Sequence, residues 1–277
     1  MDSKRPHPRT RRLRGKRTLA TAAVVAAGLA CLAAPGAAQA APAAQAPAAG
    51  GRATAAGPVP ADILDLGNWK ETLPTGSAGH PTEITQPDLA TFSADPYFTV
   101  TAAGDGVQFR APVDGVTTSG SGYPRSELRE MTDGGTGNAA WSTTSGTHTL
   151  TVHEAFTHLP NDKPQVVGAQ IHDASDDITV FRLEATDLYI TDGNTTHYKL
   201  VTADYRLGTV YEAKFVVSGG QIRAYYNGTL EATISDSGSG NYFKTGAYTQ
   251  ANCTNSSPCD ASNYGEVTVY DVTVSHT

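Results

Sequence analysis

Helical periodicity is nearly absent from this sequence, which excludes a helical bundle or an alternating helix–strand architecture at the outset. Only Ile84 to Leu89 suggests one short helical turn. No internal repeat is visible. Long apolar runs are lacking too: the one candidate, Leu19 to Ala34, is Ala-rich and shorter than the roughly 20 residues a membrane helix needs. There is no phosphate-binding glycine loop, no dinucleotide fingerprint and no basic nucleic-acid patch, so no nucleic-acid partner is expected. Histidines such as His148, His153, His158 and His197 form no metal-ligand spacing, and no metal site is assigned.

What is present at the N-terminus reads as processing sequence. Residues 4 to 17 carry eight basic side chains, the apolar run follows, and Ala38-Gln39-Ala40 is a small-residue cleavage site. This is the pattern of a secretory signal over residues 1–40, so the protein is expected to be secreted and extracellular, without a membrane anchor. Arg11-Arg12 leaves twin-arginine export open beside the general route. Residues 41–61 are Ala, Pro and Gly with almost no large apolar side chain, a disordered spacer by composition. Residues 62–277 form the expected domain. Removing residues 1–40 takes eight basic and one acidic residue from totals of 20 and 27, leaving 12 against 26, or −14. Without Cys31, Cys253 and Cys259 remain, an even count that closes a short loop and suits a disulfide in an oxidising compartment.

Strand-like runs recur through the domain: 98–102, 107–111, 147–156, 166–172, 179–184, 187–191, 198–200, 210–217, 221–226, 230–234 and 267–275. Turn signals such as Ser218-Gly219-Gly220 and Asp192-Gly193-Asn194 separate them, and Asn227-Gly228 between two strands is a hairpin signal. Many short antiparallel strands with Gly-rich turns read as an all-β sandwich or jelly roll.

Three further segments alternate in an informative way: Arg125-Ser126-Glu127-Leu128-Arg129, Gln170-Ile171-His172, and Tyr242-Phe243-Lys244-Thr245-Gly246-Ala247-Tyr248-Thr249-Gln250. As strands, they present Arg125, Glu127, Arg129, Gln170, His172, Tyr242, Lys244, Tyr248 and Gln250 on their fronts. Ser126, Leu128, Ile171, Phe243 and Ala247 lie behind, so most of the back is apolar. Side by side, the three would make a cationic, donor-rich groove suited to a carboxylated ligand.

Together and in this order, these segments resemble the R-x-E-x-R, Q-I-H and Y-F-K-x-G-x-Y-x-Q motifs of the polysaccharide lyase 7 family of alginate lyases. Leu64-Asp65-Leu66-Gly67-Asn68-Trp69-Lys70-Glu71-Thr72-Leu73-Pro74 also looks like the family's start, so the resemblance runs from about residue 62 to the C-terminus. It implies a jelly roll of two curved antiparallel sheets with the cleft on the concave one. It also implies β-elimination on a uronate chain, such as the anionic polysaccharide alginate; the elimination itself requires no metal or organic cofactor, and a monomer is expected. The roles carried over are Arg125 and Gln170 as neutralisers of the substrate carboxylate, His172 as base and Tyr248 as acid. Glu127, Arg129, Lys244, Tyr242 and Gln250 are the expected substrate-binding residues. Ile171 in the Q-x-H motif points to guluronate, and an open groove to endo cleavage. The net acidity opposes long-range attraction of a polyanion, so binding must rest on locally gathered cations.

Three other readings compete. A retaining hydrolase needs two carboxylates about 5 Å apart, but Glu184 and Asp187 fall on opposite faces. A non-catalytic carbohydrate-binding module would keep aromatics for stacking and could lose the acid or base; here Trp69 and Trp141 are the only tryptophans and the donor–base–acid set is complete. A lyase on another polyuronate, such as glucuronan, would use the same chemistry.

Overall fold

The computed structural model describes residues 57–277. The signal peptide read over residues 1–40 and most of the spacer lie outside the described residues.

Seventeen strands carry the described chain. The first nine are β1 (Trp69–Ser77), β2 (His80–Ile84), β3 (Phe98–Val100), β4 (Val107–Pro112), β5 (Arg125–Thr132), β6 (Gly137–Asn138), β7 (Trp141–Ser142), β8 (Thr147–His158) and β9 (Gln165–His172). The others are β10 (Asp177–Glu184), β11 (Asp187–Asp192), β12 (Thr195–Thr202), β13 (Tyr211–Ser218), β14 (Gln221–Tyr226), β15 (Thr229–Ser235), β16 (Ser239–Thr249) and β17 (Tyr264–His276). They pair antiparallel into two sheets, the jelly-roll sandwich expected. One sheet runs β12-β11-β10-β9-β16-β5-β1-β2, with β6 beside β5 and β7 beside β16; the other runs β15-β14-β13-β8-β17-β4-β3. Helix is limited to two 3-10 turns, Pro60–Asp62 and Asp88–Thr91, the second displaced slightly from the turn expected at 84–89.

The seven-stranded sheet follows simple alternation. Along β13 every second residue, from Tyr211 to Val217, is buried while its neighbours are half-buried. Its inner side chains, including Phe109, Leu150, Phe156 and Phe215, meet Leu128, Ile171, Phe181, Leu183 and Phe243 of the ten-stranded sheet in one core of fully buried residues. Each such side chain stabilises the sandwich by roughly 1.5–3 kcal/mol. The Asn227-Gly228 turn joins β14 to β15 with φ of 48° and 77°, the left-handed pair that a two-residue hairpin requires.

The ten-stranded sheet departs from the expected pattern on its back. Glu71 and Glu130 are buried there, and Glu154 reaches it from β8. Glu130 accepts N–H bonds from Phe243 at 2.8 Å and Trp141 Nε1 at 3.0 Å. Glu154 accepts Tyr211 Oη at 2.6 Å, the Ala169 N–H at 3.1 Å and Thr245 Oγ1 at 3.2 Å. These acids serve the backbone and side chains of the motif strands from behind.

Candidate active site

The strand order places β16 between β9 and β5, which brings three sequence-distant motifs into one band. Lys244 stands opposite both Arg129 and Gln170, Tyr242 opposite His172, and Tyr248 opposite Arg125. Between Lys244 and Tyr248 the register with β9 slips, while the register with β5 stays regular. Gly246 sits in this bulge with φ of 129°. A Cβ there would lie 2.6 Å from the Ser126 carbonyl oxygen, so no side chain other than hydrogen fits.

Glu127 is the centre of the front face. Expected at the substrate, it is instead 1% exposed and lines no part of the cavity. Its carboxylate receives Arg125 Nη1 at 3.1 Å, together with Lys244 Nζ and Gln170 Nε2 in closer contacts. Burial pushes the Glu127 carboxyl up, but Lys244 and Arg125 outweigh it and hold the group below its usual value. The same pairing does not hold the lysine up: burial, then Arg125, bring Lys244 down to about 8 despite Glu127. The two directions are reconciled by stoichiometry, because one carboxylate serves several cations and Arg129 adds to the repulsion. The cluster is therefore short of negative charge, which a substrate carboxylate would supply. Gln170 also differs from expectation. It is fully buried, lines no part of the cavity and directs its N–H to Glu127.

His172 is half-buried at the cavity wall. Its Nδ1 lies 2.5 Å from the Asp173 carbonyl, which only accepts, so Nδ1 carries the proton and Nε2 keeps its lone pair. Burial and the Lys244 charge lower its proton affinity and keep the ring neutral. The Tyr242 ring stacks beside it at 5.5 Å, with its hydroxyl 3.2 Å from Nδ1. Arg129 lies over the Tyr242 ring, 3.9 Å from its centroid, and donates to the Glu130 and Ala139 carbonyls at 2.6 and 3.2 Å. Arg125 stacks over Tyr248 at 4.0 Å, and the Tyr248 hydroxyl is 2.9 Å from Ser121 Oγ.

These groups open on a cavity of about 400 Å³ lined by Arg125, Arg129, His172, Tyr242, Lys244 and Tyr248. Gln250 lies beyond Tyr248, in an adjoining hollow of about 160 Å³. The three motif strands did not reveal the rest of the wall: Lys70 and Thr72 from β1, Glu83 from β2, which pairs with Lys70 at 2.7 Å, the loop Thr118–Ser121, and Ala174–Asp177. The loop residues carry no periodicity, so the available signals were the charges of Glu83, Asp176 and Asp177 and the place of Lys70 and Thr72 in the Leu64–Pro74 segment. Asp177 is raised to about 6 by burial and by its neighbour Asp176. Cys253 and Cys259 form the disulfide. It closes a loop after β16, and just before that loop Asn252 Nδ2 donates to the Gly122 carbonyl at 2.9 Å. No cluster of three metal-ligating side chains occurs among the described residues.

Comparison with known proteins places this geometry. The profile of the family described as alginate lyase matches residues 64–276. An alginate lyase of Klebsiella pneumoniae is 40% identical over 81 residues, which cover 28% of this chain and 26% of that protein. The chain thus aligns with about a quarter of that curated relative's length. Among solved structures, the alginate lyase of Corynebacterium sp. is 67% identical with a TM-score of 0.78, over 79% of this chain and 98% of that one. The polysaccharide lyase family 7 enzyme AlgAT5 is 48% identical with a TM-score of 0.76, over 80% and 100%. A family-7 alginate lyase in complex with the substrate GGMG is 26% identical with a TM-score of 0.68, over 79% and 97%. The motif strands, the jelly roll and these matches agree: the chain belongs to the alginate lyase family, on the fold of polysaccharide lyase family 7.

Proposed function

We propose that this protein is secreted and cleaves alginate inside the chain by β-elimination, with a preference for guluronate. The observation that carries the reading is the charge-deficient cluster around Glu127, set beside a neutral histidine with a free Nε2 and a tyrosine hydroxyl in the same cavity. Elimination must remove the C5 proton, which is barely acidic while the neighbouring carboxylate keeps its charge. Arg125, Lys244 and Arg129 pair with that carboxylate and stabilise the charge that grows on it in the enolate-like transition state. Glu127 and Gln170 act from below by orienting the donors. His172 Nε2 takes the C5 proton, the C5–H electrons form the C4–C5 double bond, and the C4–O bond breaks. Tyr248 gives its proton to the departing O4.

In guluronate the C5 proton and O4 lie on opposite sides, which suits two separate groups, His172 and Tyr248. A family neighbour is described in complex with the product GGG, in keeping with guluronate acceptance. Ile171 is fully buried, so its influence on the choice of sugar would be indirect. Export rests on the signal-like residues 1–40 and accords with the Cys253–Cys259 disulfide.

The test is ultraviolet absorbance on mixing the protein with polyguluronate, polymannuronate and glucuronan separately, because elimination leaves a double bond conjugated with the carboxylate. Absorbance rises first on polyguluronate, and Tyr248→Phe lowers kcat by about 1,000-fold or more with KM little changed. A flat trace on both alginate blocks would sink the reading, and a faster rise on glucuronan would reassign the substrate. Early appearance of mixed-length oligosaccharides, against release of one small product, separates endo from exo action.

A further inference from the structure

We propose that Ser121 is a positioning residue for Tyr248, controlling where its proton points and steadying the phenolate left behind. The inference rests on the reading of Tyr248 as the acid and adds a residue outside the three motif strands. Among the described residues, Ser121 Oγ is the hydrogen-bond partner of the Tyr248 hydroxyl, at 2.9 Å. The serine oxygen also accepts the Tyr123 N–H at 3.0 Å and faces the Tyr123 carbonyl at 3.2 Å.

Ser121 has one proton and two acceptors for it, the Tyr123 carbonyl and Tyr248 Oη. When the proton goes to the carbonyl, Tyr248 donates to Ser121 and its own proton is held away from substrate. When the serine hydroxyl rotates to Tyr248 Oη, the phenol proton is released toward the cavity, where O4 of a bound chain would lie. As the Tyr248 O–H bond breaks and the O4–H bond forms, Ser121 keeps its proton and donates it in a hydrogen bond to the new phenolate. A hydrogen bond to a charged acceptor is roughly twice as strong as one between neutral groups, so the contact strengthens as the transition state is approached. The Arg125 guanidinium 4.0 Å from the ring centroid favours the same charge.

The loop is built to hold this serine. The Ser121 N–H donates to the Thr118 carbonyl at 3.0 Å, and the Gly122 carbonyl accepts Asn252 Nδ2 at 2.9 Å. Tyr123 packs edge-on against Tyr248 at 6.5 Å, and its hydroxyl accepts Lys163 Nζ at 2.8 Å. Through Asn252, just before the disulfide-closed residues 253–259, the segment after β16 thus ties down the loop facing Tyr248 across the cavity wall.

The experiment is steady-state elimination of polyguluronate by Ser121→Ala, Ser121→Thr and Tyr248→Phe, and by Ser121→Ala combined with Tyr248→Phe. Thermal unfolding confirms that each variant folds. Ser121→Ala should lower kcat about 10- to 100-fold with KM within about twofold. The alkaline limb of its kcat profile should move to higher pH, since a donor to the phenolate is gone. Ser121→Thr, which keeps the hydroxyl, should recover most of the rate, and Ser121→Ala should cost nothing further once Tyr248 is phenylalanine. An unchanged kcat in Ser121→Ala, alongside an inactive Tyr248→Phe, overturns the role of Ser121 and leaves the acid in place. A loss confined to KM, or threonine failing as badly as alanine, overturns it too. An active Tyr248→Phe overturns both readings.

Discussion

Glu127 and Glu71 lie on adjacent strands, one register step apart, and both are fully enclosed. They sit on opposite faces of one sheet and behave in opposite ways. On the front, Lys244 and Arg125 overcome the burial penalty and keep Glu127 ionised. On the back, Glu71 has Ser126 Oγ at 2.8 Å but no cation in contact, and burial drives its carboxyl well above the usual range. Identical burial thus leaves a carboxylate whose charge is held by cations on one side and a carboxyl whose charged form is disfavoured on the other. Burial sets the penalty, and the neighbours decide whether the charge survives it.

The comparison breaks most severely at Glu127. Glu127→Gln keeps the shape but offers one acceptor where Arg125, Lys244 and Gln170 now share two oxygens. Removing the charge from a buried pair costs about 3–5 kcal/mol. Denaturant unfolding should show that loss, and kcat/KM on polyguluronate should fall about 100-fold or more. Gly246→Ala comes next, because its Cβ would meet the Ser126 carbonyl oxygen and the Phe109 ring at a φ of 129°. A cost of about 2–4 kcal/mol is expected in the same unfolding assay.

Smaller effects come from pH. Lys244 titrates near 8, so binding of the anionic chain should weaken as pH rises through that value, measured as KM against pH. Asp177 is raised from 3.8 to about 6, so the fold disfavours its charged form. Its contribution to stability is therefore most favourable below about pH 4, is lost between about 4 and 6, and changes no further above. Asp177→Asn should flatten stability across that window, and an unchanged slope there would count against the raised value. Glu71→Gln should do least, shifting stability by under about 1 kcal/mol with near-normal turnover, since glutamine imitates the protonated acid. A large loss there would erase the contrast with Glu127.

The strands were legible where side chains alternate between unlike surroundings. β13, β14 and β15 appear within a residue or so of where Val210–Val217, Gln221–Tyr226 and Leu230–Ile234 place them. β1 and β2 were not marked as strands, because Trp69–Ser77 contains Pro74 and Gly76 and its buried stretch does not alternate. In the site, alternation correctly put Arg125, Lys244 and Tyr248 on one face. It carried no information about depth, so Glu127 and Gln170 looked like substrate contacts when both are buried behind them. Ser121 left no trace, because a loop residue's partner depends on how the loop folds back.

By itself, the sequence determined the all-β class, the faces of the three motif strands and the set of chemical groups available, because side-chain direction in a strand is local and has period two. Tertiary structure alone decided the order of the strands across the sheet, the bulge at Gly246, the cation-to-carboxylate ratio around Glu127 and the hydroxyl set against Tyr248. Each of those depends on contacts between residues tens to more than a hundred positions apart, and on burial, which changes the energy of a charge without changing its formula.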